Sequence, residues 1–128
     1  MNITEVNDRS GHVVDAAMRV HTALGPGLLE GAYEACLTHE LRKRGFRVLT
    51  QLPLPIIYDG IRIELGYRVD SLVDDTVIVE LKAVARLLPV HEAQLLPYLR
   101  LSGYTVGLLI NFHSSHLRDG IKRMVNKL

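Results

Sequence analysis

The stretch VDSLVDDTVIVELKA, residues 69–83, decides how the fold of this chain is interpreted. It is apolar enough to form two buried strands, yet three charged side chains, Asp70, Glu80 and Lys82, interrupt it. Side chains alternate between the two faces of a strand, so Glu80 and Lys82 project from the same face. A strand that served only the core would have no use for these charges, and the strand pair is therefore a candidate site.

The register between the two strands depends on the turn that joins them. A two-residue turn at 74–75 would place Asp70 opposite Val79, whereas a three-residue loop at 74–76 places Asp70 opposite Glu80. The second register also collects the apolar side chains on one face, and a slip of one residue is costly when one face is buried. The sequence therefore predicts the three-residue loop, or a bulge with the same effect, and two adjacent carboxylates.

Adjacent carboxylates repel each other, and a hard divalent cation such as Mg²⁺ or Mn²⁺ removes the conflict because it takes oxygen ligands and keeps several waters. A lysine two residues further on can orient a water or neutralise charge that builds on a phosphate. Together these groups are typical of metal-assisted phosphodiester hydrolysis. The alternative is a simple ion pair on a strand, since an acidic residue two positions before a lysine is common by chance.

The rest of the chain predicts helices on either side of a group of strands. Apolar spacing predicts a helix from about 10 to 24, and Pro26 is well placed to open a second helix that Gly45 stops. A third helix begins at Pro89 and stops at Gly103, and a final amphipathic helix is predicted from Leu117 to Leu128. The predicted strands are 61–65, 67–73, 77–83 and the doubly buried 105–112, after an extended segment, 46–58, that prolines interrupt.

This order predicts one α/β (α+β) domain over residues 1–128, with a mixed sheet flanked by helices. The formal charge of +1 does not by itself indicate a polyanionic partner, although basic residues cluster locally. Cys36 is the single cysteine, which fits a reducing compartment. No signal peptide or membrane-spanning run is visible, so a cytoplasmic protein without a membrane partner is expected.

Other polar side chains lie where they can border the carboxylates. Glu30, near the start of the second helix, is most simply a carboxylate favoured by the helix N-terminus. Tyr33 is most simply a core aromatic with a wet hydroxyl. On the third helix His91, Gln94 and Tyr98 can share one face, which is either an ordinary polar side or a row that holds a phosphate.

Together these pieces resemble a known family. GLLEGAY, residues 27–33, matches the signature of the GxxExxY proteins, which are small prokaryotic members of the PD-(D/E)XK nuclease superfamily. GYRVDSLVDDTVIVELKAV, residues 66–84, resembles the core of that superfamily, and HEAQLLPYLR, residues 91–100, resembles the following helix with its QxxxY pattern. The resemblance covers most of the chain and implies a restriction-endonuclease-like αβββαβ core.

The resemblance also implies roles for individual residues. It implies catalytic roles for Glu30, Asp70, Glu80 and Lys82, with a metal ion held by the three acids and by the Leu81 carbonyl. The candidate contacts for substrate are Tyr33, His91, Gln94 and Tyr98.

The leading hypothesis is a Mg²⁺- or Mn²⁺-dependent nuclease that acts on DNA or RNA. The alternative is a catalytically silent module that keeps the fold and binds nucleic acid or a protein partner. In a third hypothesis, a homodimer or a larger complex supplies the grip on the substrate.

Overall fold

The structure, a computed structural model, describes residues 2–64 and 67–126. Within these residues the chain forms three helices and seven strands, which are, in order, α1 (Ile3–Leu24), α2 (Glu30–Lys43), β1 (Val48–Pro53), β2 (Ile56–Tyr58), β3 (Ile61–Ile63), β4 (Arg68–Val73), β5 (Val77–Lys82), α3 (Pro89–Ser102), β6 (Val106–Asn111) and β7 (Ile121–Val125). A 3₁₀ turn, Leu117–Gly120, precedes β7.

Five of the strands form one mixed sheet in the order β1-β4-β5-β6-β7. Strands β5 and β6 are parallel and α3 connects them, whereas the other neighbours are antiparallel. The remaining strands, β2 and β3, form a separate hairpin around the turn at Asp59 and Gly60, as the sequence predicts. The predicted α/β architecture, a mixed sheet flanked by helices, is confirmed.

Helices cover both faces of the sheet. On one face α1 and α2 pack against Val77, Val79 and other apolar residues of the central strands. On the opposite face Leu95 and Leu99 of α3 pack in the cluster that includes Ile78. Because both faces of β5 and β6 are buried, these strands are nearly continuous apolar runs, and a charged side chain on them has little access to water.

The register of the β4–β5 hairpin is the one that the sequence predicts. Val73 pairs with Val77 and Ser71 pairs with Val79, which leaves the three-residue loop 74–76 between the strands. Both aspartates of this loop have positive φ angles, 50° and 52°, which aspartate tolerates better than most residues. The hairpin therefore brings the carboxylates of β4 and β5 side by side.

The final helix predicted from Leu117 to Leu128 is wrong, because this segment forms a 3₁₀ turn and then β7. Strand β7 pairs antiparallel with β6 over its whole length and so satisfies the backbone groups of β6 along that edge. The chain returns tightly at Gly120, where an added Cβ would lie 2.2 Å from the Ser114 hydroxyl oxygen. Periodicity alone does not separate a helix from a strand in so short an apolar segment. Residues 127–128 lie outside the described residues.

Helix boundaries agree at α3 and differ at α1 and α2. Helix α1 begins at Ile3 rather than near residue 10, because the Asn2 side chain caps it by accepting the Glu5 N–H at 2.9 Å. Helix α2 begins at Glu30, several residues after Pro26. Across residues 2–64 and 67–126, no helix combines the length and apolar character needed to cross a bilayer.

The strand predicted over 61–65 ends at Ile63. Its last predicted residue, 65, is outside the described part of the chain.

Candidate active site

Where β4 and β5 separate, the carboxylates of Asp70 and Glu80 accept hydrogen bonds from backbone N–H groups of the facing strand. Beyond the pair of Ser71 and Val79, the Asp70 N–H donates to Glu80 Oε1 at 3.0 Å. In return the Leu81 N–H donates to Asp70 Oδ2 at 2.7 Å. This reciprocal arrangement fixes both carboxyl groups next to each other near the carboxyl end of β5.

Burial and mutual repulsion dominate the electrostatics of this pair. Glu80 is only 8% exposed. Burial, and then the negative charge of Asp70, raise the pKa of Glu80 to about 7, against the opposing effects of the Asp70 N–H, the Lys82 charge and the Tyr67 hydroxyl. A cation beside the two carboxylates would offset this repulsion and favour the ionised form of Glu80.

Lys82 lies at the end of β5 and is half-buried, and its charge acts on Glu80. The backbone that follows Lys82 is held by Asn111, which pairs with Lys82 in the β5–β6 register and is 1% exposed. The Asn111 amide donates to the Val84 carbonyl at 2.9 Å, and its oxygen accepts the Val84 N–H at 3.1 Å. Asn111 thereby extends the contact between β5 and β6 and fixes the segment that carries Lys82.

Glu30 reaches the same end of β5 from the first turn of α2. Its Oε1 accepts the backbone N–H of Ala83 at 3.2 Å, one residue after Lys82. Because α2 packs against β5, the helix start and the strand end meet at one place. Glu30 therefore borders the site, and its carboxylate is exposed to solvent.

Tyr33 holds the loop that leads to Glu30. Its hydroxyl donates to the Gly25 carbonyl at 2.6 Å and accepts the Leu28 N–H at 3.0 Å. Its ring is fully buried and stacks on Phe112 with a centroid distance of 4.5 Å. The ring is therefore covered by protein atoms, and the hydroxyl ties together the two ends of the loop that leads to Glu30.

We expect Tyr33→Phe to destabilise the protein by about 1–3 kcal/mol, because the substitution leaves the Leu28 N–H and the Gly25 carbonyl without their partner. The free energy of unfolding in urea measures this loss. Tyr58→Phe is the matched control, since Tyr58 is 69% exposed. Equal stability of the two variants would show that the Tyr33 hydroxyl does not hold the loop.

The three residues of the polar row predicted on α3 have different surroundings. His91 caps the helix, because its Nδ1 accepts the Leu88 N–H at 2.9 Å. Gln94 is exposed. Tyr98 stacks on Tyr67, with ring centroids 3.7 Å apart and planes inclined by 11°. Burial, and then the negative charges of Glu80 and Asp70, raise the pKa of Tyr67, so Tyr67 lies near these carboxylates. Tyr98 is therefore connected to the site through its stack on Tyr67.

Sequence reasoning missed Tyr67, Asn111 and Gln51, each of which contacts a residue of the site or its support. A signal existed for Asn111, which is a polar residue at the end of a continuous apolar strand. Tyr67 and Gln51 carry no comparable signal, because their roles depend on contacts between distant elements.

The donor set fits a hydrated hard cation. In the described ranges, which omit residues 1, 65–66 and 127–128, no group of three or more His, Cys, Asp or Glu side chains is arranged to hold a metal ion. Asp70 and Glu80 are the two carboxylates that reciprocal backbone hydrogen bonds bring together at this place. A carboxylate can accept about four hydrogen bonds or ligand contacts, so both groups retain capacity beyond their backbone partners. Mg²⁺ is often bound by one or two carboxylates and keeps several waters.

Comparison with known proteins gives one match. A protein-family model described as the PD-(D/E)XK nuclease superfamily matches residues 7–124. No curated protein and no solved structure matches the chain at a significant level. The matched range includes every candidate residue from Glu30 to Tyr98.

Proposed function

Because the chain belongs to the PD-(D/E)XK nuclease superfamily, we propose that it is a metal-dependent nuclease that hydrolyses phosphodiester bonds in DNA or RNA. The observation that supports this most strongly is the buried pair of Asp70 and Glu80 with the Lys82 charge beside it. Nucleic acid is accordingly the proposed partner, in a cytoplasmic and prokaryotic setting.

In this proposal Asp70 and Glu80 hold Mg²⁺ or Mn²⁺, and Glu30 and the Leu81 carbonyl are further candidate ligands. When bound, the cation supplies a Lewis acid that polarises the phosphate. Lys82 neutralises negative charge that develops on the phosphate during attack by water. The burial of Glu80 excludes bulk solvent and so strengthens these charge interactions.

We propose that substrate binds on the side of the site that carries the α3 row, which consists of His91, Gln94 and Tyr98. Gln94 is exposed and is free of the core that Leu95 and Leu99 form, so its amide is available to a phosphate or a base. Tyr98 supports Tyr67 beside the carboxylates. His91, the third member of the row, caps the helix and is expected to act through the position of α3.

We also propose that the chain is a GxxExxY protein. Gly27 has a φ of 109°, which favours glycine, Glu30 begins α2, and Tyr33 locks the loop between them. The glycine, glutamate and tyrosine of the signature thus act together, because they place the Glu30 side chain at the end of β5.

Cleavage of single- and double-stranded DNA and RNA tests the proposed function. We expect cleavage with Mg²⁺ or Mn²⁺ that a chelator stops and that Asp70→Asn abolishes. The amide oxygen of the variant can still accept the Leu81 N–H, so the fold should survive. Asp59→Asn, in the exposed turn of the β2–β3 hairpin, is the control that should remain active.

Calorimetric titration with Mn²⁺ separates the nuclease from a catalytically silent module. Binding that Glu80→Ala abolishes supports the nuclease. Absence of both Mn²⁺ binding and cleavage in the unmodified protein would favour the module.

A further inference from the structure

The backbone of β1 is interrupted opposite Asp70. Thr50 pairs with Ser71 and Leu52 pairs with Val69, but within the described residues the pairing skips Gln51 and Asp70. Gln51 has a φ of 51°. Glutamine seldom adopts this left-handed conformation, and such a residue persists only where its surroundings hold it in place.

The Gln51 side chain shows what holds it. Its Nε2 donates to Glu34 Oε1 at 2.8 Å and to Asp70 Oδ1 at 3.1 Å. An amide nitrogen has two hydrogens, so these two carboxylates use both of them and fix the orientation of the amide. The amide is neutral, and it can therefore orient Asp70 without competing for its charge as a lysine or an arginine would.

The two oxygens of Asp70 are held from different sides. Leu81 N–H contacts Oδ2 from β5, and Gln51 contacts Oδ1 from β1. Two donors on the two oxygens prevent rotation of the carboxyl group about its last bond. Glu34, one turn after Glu30 on α2, connects this arrangement to the helix that carries Glu30.

We propose that Gln51 is a positioning residue that holds the Asp70 carboxylate for metal binding, and that Glu34 acts through Gln51. The inference rests on the proposed function, because it concerns the same carboxylates. It explains why β1 breaks at this position: the left-handed backbone directs the amide toward both carboxylates at once.

Gln51→Gly is the decisive variant, because it removes the amide while glycine adopts the same backbone without strain. Asp59→Gly is the matched control, since Asp59 also has a φ of 51° and is exposed. We expect both variants to keep or raise the melting temperature. Only Gln51→Gly should weaken Mn²⁺ binding, by about 10- to 100-fold, the usual cost of losing a residue that orients a metal ligand.

The role of Glu34 is tested by combining substitutions. Glu34→Ala alone should weaken Mn²⁺ binding in the same direction by a smaller factor. The double variant with Gln51→Gly should bind no more weakly than Gln51→Gly alone, because Glu34 acts through the amide. Additive losses would mean that Glu34 contacts the metal site by another route.

A second readout does not depend on metal or on cleavage. The side-chain NH₂ signals of Gln51, assigned by their loss in Gln51→Gly, should shift in Asp70→Asn and in Glu34→Ala but not in Asp59→Gly. If these signals do not respond to Asp70→Asn, or if Mn²⁺ affinity is unchanged in Gln51→Gly, the inference is overturned while the nuclease proposal stands. If the unmodified protein neither binds Mn²⁺ nor cleaves, the proposed function fails, and the shifts alone decide whether Gln51 holds Asp70.

Discussion

Lys82→Met is expected to lower the rate of phosphodiester cleavage at saturating metal by about 100- to 1,000-fold, the range found when one charge-stabilising donor is removed from an active site. Methionine keeps an unbranched apolar stem of similar length in this half-buried position, so the fold should persist. In the proposed reaction this charge would act on the phosphate in the transition state. It also lowers the pKa of Glu80, against the effects of burial and of Asp70. Single-turnover cleavage measures the loss directly.

The control for Lys82→Met is Lys43→Met. Lys43 is exposed in the last turn of α2, about 20 Å along the helix from Glu30. Its ion pair with Glu40 is on the surface and contributes little to stability. Activity near that of the unmodified protein in Lys82→Met, or an equal loss in both variants, would rule out the role given to Lys82.

The second large effect is on stability, where Glu80→Gln should remove a penalty that grows with pH. The folded protein raises the pKa of Glu80 from 4.5 to about 7, so between these values the folded state binds a proton that the unfolded state releases. The contribution of protonated Glu80 to the stability of the folded state is therefore complete below pH 4.5 and is lost as the pH rises through 7. A shift of this size corresponds to about 3 kcal/mol.

Urea unfolding at about pH 5 and about pH 8 measures this effect through the standard linkage between pKa and stability. Relative to Glu80→Gln, the unmodified protein should lose about 2–3 kcal/mol between the two conditions, because a small part of the loss has already occurred at the lower pH. Mn²⁺ should restore part of that loss at the higher pH, because the cation offsets the two negative charges. Glu64→Gln, at an exposed position, is the control. Parallel pH profiles for the unmodified protein and Glu80→Gln would contradict the prediction.

Local rules were sufficient for the elements closest to the site. Alternation along β4 and β5 allowed one register that buried the apolar residues, and this register predicted the neighbouring carboxylates. Proline and glycine marked both ends of α3 because each has a specific backbone preference, at Pro89 and Gly103. These features depend on residues close in sequence or on strict two-residue periodicity.

Other features depend on contacts that a linear pattern does not contain. The segment Ile121–Val125 fits two periods, and the free edge of β6 decides in favour of a strand. The α2 start at Glu30 follows from hydrogen bonds that Tyr33 makes with the preceding loop. Nothing in the local sequence distinguishes Gln51. Its left-handed backbone conformation accompanies hydrogen bonds to carboxylates that α2 and β4 supply.

The break at Gln51 also affects how copies of this protein can meet. β1 is an edge of the sheet, and an uninterrupted edge is a template for pairing with a neighbouring chain. The left-handed residue disturbs the regular row of donors and acceptors, and Pro53 removes another donor at the strand end. β1 is thus protected against edge-to-edge pairing with a neighbouring chain, whereas β7 is the other edge of the same sheet.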